Sequence, residues 1–144
     1  MGRGARTLGA QLTEIKRLHP HFSVQLRRNV LSCTGKLRPS DISDEYLITV
    51  TYDLNRRPKV FVVAPVLSGK DDKRIPHTFS DGSLCLHMPL EWLPSMSIAE
   101  TILPWAALWL YYYELWHITD QWLGGGHEPG RHKHSNSPLQ NPVD

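Results

Sequence analysis

An α+β fold is predicted by two patterns: an apolar stripe at helical spacing near the start of the chain, and four successive strand-like runs joined by short connections. Short connections favour an antiparallel meander, because parallel pairing requires long crossovers. The length of 144 residues, 40% of them apolar, suffices for one hydrophobic core and leaves no room for a second domain.

Leu8, Leu12, Ile15 and Leu18 recur at helical spacing between Thr7 and His19, with Gln11, Glu14, Lys16 and Arg17 mostly on the opposite face and Pro20 as a stop. The β-branched and aromatic runs Phe22–Arg27, Val30–Leu37, Tyr46–Leu54 and Val60–Val66 then read as four strands. Turn formers separate them: Arg28-Asn29, Arg38-Pro39-Ser40-Asp41 and Asn55-Arg56-Arg57-Pro58. A polar loop, Ser68–Arg74, leads into an irregular stretch, Ile75–Pro94, rich in Pro, His, Asp and Gly. Irregular segments on a rigid scaffold are frequent carriers of function.

Ser97 with Glu100 three residues on is a capping-box pattern, predicting a helix whose stripe is Ile98, Ile102, Trp105, Trp109, Tyr112 and Trp116. Pro104 predicts a kink, or a break into a first turn and a main helix. Leu108, Leu110, Tyr111 and Tyr113 make the other faces apolar as well, more than a one-sided helix needs. Two explanations are open: a partner surface, with Tyr111 and Tyr113 as exposed members, or a face covered by Asp120–Leu123. Gly124-Gly125-Gly126 opens a polar, Pro-containing segment, so the chain divides into a domain at 1–123 and an expected mobile tail at 124–144.

A net charge of +2 with 21% charged residues is too weakly basic for a phosphate-tracking surface, so nucleic acid is not expected as a partner. The apolar run Ile98–Ile118 is interrupted by Glu100, Pro104, Glu114 and His117, which argues against a membrane span. Met1–Ala10 lacks the apolar stretch of a signal peptide, and Cys33 and Cys85 are the only cysteines. A cytoplasmic location with both thiols free is therefore expected.

Chemistry is concentrated in Pro76-His77-Thr78-Phe79-Ser80-Asp81-Gly82-Ser83-Leu84-Cys85-Leu86-His87. A loop cysteine flanked by histidines suits nucleophilic work, since a deprotonated thiol attacks carbonyls well. Taken alone, a cysteine between two leucines is more often an inert small hydrophobe. Asp81 is read as shaping the Asp-Gly turn, and Cys33, in an apolar strand pattern, as core. His127, His132 and His134 lack the Cys or acidic partners of a metal site, so neither a metal nor another cofactor is expected.

The order of elements resembles ubiquitin-conjugating enzymes from Thr7 to about Asp120. That family carries His-Pro-Asn ten to eight residues before its cysteine, then Gly-x-[Ile/Leu]-Cys-Leu, then Trp-x-Pro. Here Ile75-Pro76-His77, Gly82-Ser83-Leu84-Cys85-Leu86 and Trp92-Leu93-Pro94 occupy those places, and Arg57-Pro58-Lys59-Val60 resembles the family's entry to its fourth strand. Three departures stand out: His77 replaces the Asn, the cysteine-to-Trp spacing is one residue shorter, and the last two family helices are missing. The aromatic helix, Trp116-His117-Ile118-Thr119-Asp120-Gln121-Trp122 and the Gly-rich tail are similar to bacterial stand-alone conjugating enzymes of anti-phage operons.

The resemblance implies that Cys85 accepts an acyl group by transthiolation and passes it to an amine. The implied donor is the C-terminus of a protein partner, a cGAS-like nucleotidyltransferase, with or without a separate activating enzyme. His77 would be the side-chain donor to the oxyanion, or only a loop anchor. Asp120 would orient the incoming amine as in some family members, or be a surface acid at a helix end. His87, if locally extended, would point the same way as Cys85 and depress its pKa, or lie exposed without contact. The rival readings are a cysteine isopeptidase and an inactive conjugating-enzyme-like binding module.

Overall fold

Thr7 opens the first helix: in the computed structural model, which describes residues 4–54 and 56–124, its hydroxyl accepts the Ala10 N–H at 3.0 Å. Helix α1 spans Leu8–Leu18 and ends with Lys16 and Arg17 in the turn where positive charge is favoured. Leu8 and Ile15 are buried, whereas Leu18 is exposed. Gln11, expected on the polar face, is fully buried instead. Its amide donates to the Met96 carbonyl (2.8 Å) and accepts the Ile98 N–H (2.9 Å), so the buried group is satisfied at both ends.

The meander is present. Strands β1 (Ser23–Arg27), β2 (Val30–Leu37), β3 (Tyr46–Asp53) and β4 (Lys59–Ala64) pair antiparallel in sequence order. Arg28 and Asn29, at φ 51° and 64°, form the tight β1–β2 turn, whose left-handed pair matches the twist of the flanking strands. Leu31 and Cys33 of β2, the alternate residues Tyr46, Ile48, Val50 and Tyr52 of β3, and Val60 of β4 are buried on one face. The other face is partly polar, with Thr34 and Thr49 hydroxyls 2.9 Å apart. Gly35 is required where it stands, since a Cβ there would meet the Phe22 ring at 2.5 Å. Strand β4 ends at Ala64, two residues earlier than its β-branched run suggests, because Pro65 has no N–H to continue the ladder.

Helix α2 spans Ile102–Thr119. The capping bond is made, Glu100 N–H to Ser97 Oγ at 3.2 Å, but it closes an isolated turn and the helix starts at Ile102. Pro104 therefore sits in the first helical turn, where its missing donor would have been unpaired in any case. Ile102, Leu103, Ala106, Trp109, Leu110, Tyr113 and Trp116 are buried, a broader face than the expected stripe. Trp105 and Tyr112 are only half-buried, and Tyr113, expected on the surface, is turned inward; Leu108, Tyr111 and Ile118 are exposed. Glu114 ties the helix to the sheet by accepting the Ser43 and Tyr46 hydroxyls, both at 2.7 Å. Burial, aided by that carboxylate, pushes the Tyr46 phenol well above its usual range.

The polar loop before the cysteine segment caps this helix. Asp71 and Asp72, at φ 51° and 66°, make a two-residue turn between Lys70 and Lys73. Lys70 Nζ donates to the carbonyl of His117 at 2.8 Å and of Trp116 at 3.4 Å, meeting the negative end of the helix. No further helix follows α2 among the described residues, and nearly all of the expected tail lies outside them. No helix among them is long and apolar enough to cross a membrane.

Candidate active site

The cysteine segment is held as a hairpin against the sheet. Thr78 and Leu84 form a bridge, and the Leu84 N–H donates to Val60 O of β4 at 2.9 Å. Between them Phe79 N–H reaches Ser83 O, and Gly82 adopts φ 91°, a conformation open to glycine at little cost. Asp81 shapes this turn as expected. One carboxylate oxygen accepts the Ser83 N–H (2.9 Å) and hydroxyl (2.6 Å), and the other pairs with Lys59 at 3.0 Å. The Ser83 hydroxyl above all, then the Ser83 N–H and Lys59, hold its carboxyl far below the usual carboxylate range.

One residue past the bridge, Cys85 N–H donates to His77 O at 2.9 Å, and the same carbonyl accepts the indole N–H of Trp109 at 3.0 Å. His77 stands at φ 54°, buried, and its ring packs 4.9 Å from that of Trp122. Cys85 is buried too, its sulfur 3.7 Å from His87 O. Both residues line one cleft of about 360 Å³, walled by Trp105, Trp109 and Tyr112 of α2 and by Trp122, with His87 and Glu91 on the loop side. The structure thus brings Cys85 and His77 together.

Asp120 is not among the residues lining that cleft. It caps the end of α2 at φ 67° and pairs with Lys73 at 3.3 Å and Lys70 at 3.6 Å. The Lys73 contact first, and Lys70 after it, lower the pKa of its carboxyl. His87 shares the cleft, with Nδ1 2.8 Å from Met88 O and its ring 5.7 Å from Trp105. Cys33 is core: burial pushes its thiol up to about 12. Trp92 braces the loop, edge-on to Tyr52 at 5.3 Å and donating to Thr101 Oγ1 at 3.0 Å. No cluster that could hold a metal occurs among the described residues; His127, His132 and His134 lie outside them.

Three residues of this cleft, Trp122, Gly124 and Glu91, are not assigned to a site by the sequence. Trp122 folds back from the end of α2 onto His77, Trp109 (5.2 Å) and Tyr112 (6.3 Å), so of the two explanations open for the surplus apolar face, cover by Asp120–Leu123 holds for part of it. Gly124, assigned by sequence to the tail, also packs here: a Cβ on it would meet the Tyr112 ring at 2.5 Å. Glu91 carries no signal at all, being one acid beside Trp92 in an irregular stretch.

A helix, a four-stranded antiparallel meander, a cysteine on a braced loop and a long second helix define an α+β protein consistent with the ubiquitin-conjugating (E2-like) class. The chain matches the family model described as Type II CBASS E2 protein over residues 11–129, and it belongs to that family. Membership gives it an E2-like role in CBASS anti-phage defence, a conjugating transferase activity in general terms, and a protein partner within that system. Comparison with curated proteins returns no match.

Proposed function

We propose that the protein carries an acyl group as a thioester on Cys85 and transfers it to an amine. The observation that supports this most is the shared cleft: in a chain of the E2 family, a loop cysteine lies beside His77 in a walled cavity open to solvent. The acyl group comes from the C-terminus of a protein partner, a cGAS-like nucleotidyltransferase, presented as a thioester, directly or through an activating enzyme. Cys85 Sγ attacks the carbonyl, the tetrahedral oxyanion collapses, and the donor sulfur leaves as a thiolate. The His77 side chain donates to the oxyanion in this step and in the later attack by the amine. Its backbone supports that role, because two hydrogen bonds to its carbonyl fix where the ring begins.

For Asp120, its ion pairs favour a surface acid at the helix end over a residue that orients the amine, and there it clamps the end of α2 to the Lys70–Lys73 turn. The working unit is residues 1–123 together with Gly124, and the protein acts in the cytoplasm, where both thiols stay reduced.

The test is to mix the protein with its acyl donor and examine the product by mass spectrometry. An adduct on Cys85 that excess thiol cleaves is expected, since a thioester exchanges with thiols and an amide does not. Rapid loss of the adduct to water would favour an isopeptidase. Absence of any adduct, with partner binding retained, would favour the inactive binding module.

A further inference from the structure

We propose that a second cleft, beside Tyr113 of α2, is a docking socket for an arginine side chain on the surface of a protein partner. The guanidinium sits on Glu114, and Ile42, Val66 and Ile118 take its stem and its apolar neighbours. This cleft, of about 460 Å³, lies between the β2–β3 connection, the segment after β4 and the last turns of α2. It shares no lining residue with the cysteine cleft, and adjacent residues of α2 divide between the two, Tyr112 on one and Tyr113 on the other. Three of its aliphatic residues are among the most exposed of the described chain: Ile42 at 96%, Val66 at 86% and Ile118 at 77%. Single exposed aliphatics are ordinary, but several converging on one cleft rimmed by polar groups mark an interaction surface.

Charge decides what the surface takes. The two oxygens of Glu114 each accept one hydroxyl, from Ser43 and Tyr46, both at 2.7 Å, so the carboxylate is fixed in place while each oxygen keeps a further acceptor site. Glu114 is half-buried in the lining and Asp44 is exposed beside it, and neither belongs to an ion pair among the described residues. His117, the one basic side chain of the lining, is turned to Ser68 O at 3.1 Å. A fixed carboxylate without a cation, ringed by aliphatic groups, calls for a cation that carries its own apolar stem. Arginine meets this better than lysine, because its planar fork bonds a carboxylate through two N–H groups and its weak hydration tolerates apolar neighbours. A small free cation would leave the three aliphatic residues in water, whereas an arginine anchor within an apolar protein patch covers them as well. A partner seated here leaves the Cys85 cleft open.

The experiment uses the full chain and no acyl donor, so its outcome is independent of the thioester on Cys85. N-acetyl-arginine methylamide and its uncharged isostere, N-acetyl-citrulline methylamide, are titrated separately. NMR follows the methyl resonances of Ile42 and Ile118, assigned through Ile42→Val and Ile118→Val. Saturable millimolar binding of the arginine compound is expected at both methyls, with the citrulline compound roughly tenfold weaker or more, as for loss of one charge-assisted pair. Glu114→Gln should weaken the arginine compound by a similar factor and leave the citrulline compound unchanged. Because Glu114 also ties α2 to the sheet, a second variant avoids it. Val66→Ser combined with Ile118→Ser, both on the surface, should weaken the arginine compound about threefold or more at an unchanged thermal midpoint, from the lost apolar contact. If Glu114→Gln lowers that midpoint, the serine pair decides. Equal affinity for the two compounds, no binding to the wild type, or arginine binding that survives both variants overturns the inference. Guanidinium chloride binding as tightly as the arginine compound would make the site a simple cation trap and overturn the protein partner.

Discussion

Cys33 and Cys85 are almost equally hidden, at 2% and 5% exposure, yet their surroundings could hardly differ more. Cys33 sits in the second strand, paired with Val50 and inside the apolar face of the sheet, where burial holds its proton. Cys85 sits one residue past a bridge, on a loop pinned to β4, at the wall of a cavity shared with two histidines and a carboxylate. Low exposure therefore does not distinguish an inert thiol from a candidate nucleophile. What distinguishes them is whether a cavity and polar groups meet the sulfur.

The largest effect should come from exchanging the two thiols' fates. Cys85→Ala should abolish the thiol-cleavable adduct, and Cys33→Ala should leave its yield unchanged while costing on the order of 1 kcal/mol of stability from the small void. Intact-protein mass spectrometry and denaturant unfolding read the two results. An adduct that persists in Cys85→Ala erases the contrast. Next, His77→Ala should slow acyl transfer about 100-fold, typical of one lost oxyanion donor, with partner affinity unchanged. A loss of binding or folding instead would make His77 an anchor only.

A third, smaller effect sharpens the Cys33 side. Its folded pKa is raised, from 9.0 to about 12, so the extra stability is fully present below pH 9 and is lost as pH rises towards 12. Unfolding free energy should fall by at most about 1.4 kcal/mol per pH unit from this group across that window. Tyr46 and Tyr52, also raised, add their own decline above pH 10, so the comparison is wild type against Cys33→Ala at each pH. Parallel curves would mean that Cys33 is not as buried as described. The smallest effect is expected from Asp120→Asn, which should change acyl transfer by less than about threefold, as befits an exposed ion pair. A loss of tenfold or more in the attack by amine would restore its orienting role.

The same contrast explains what was legible in the sequence. Alternation and the Arg28-Asn29 turn placed β2 at its observed bounds, because a half-buried strand writes its two faces into every second residue. The Pro-, His-, Asp- and Gly-rich texture of Ile75–Pro94 likewise placed the cysteine on a loop, because such a segment continues neither a strand nor a helix. Helix α2 was harder: a helix apolar on nearly all sides has no polar face to fix its rotation, so Tyr113 and Tyr112 exchanged roles. Gln11 was assigned to solvent because nothing local reveals that two backbone groups 85 and 87 residues away need its amide. The cleft walls, Trp122 over His77 and Glu91 at the rim, depend on how distant segments meet, which no period or short motif records.

The Gln11 amide has a practical side. Together with Arg6, whose N–H reaches Pro94 O at 2.9 Å and whose guanidinium reaches Ser95 O at 2.7 Å, it fastens the start of the chain to the exit of the cysteine loop. A truncation past Gln11 would remove all four of these hydrogen bonds and release the stretch that follows the Cys85 loop. Workers preparing this protein for assay should attach handles at the other terminus and check that thermal unfolding is unaltered before trusting any loss of activity.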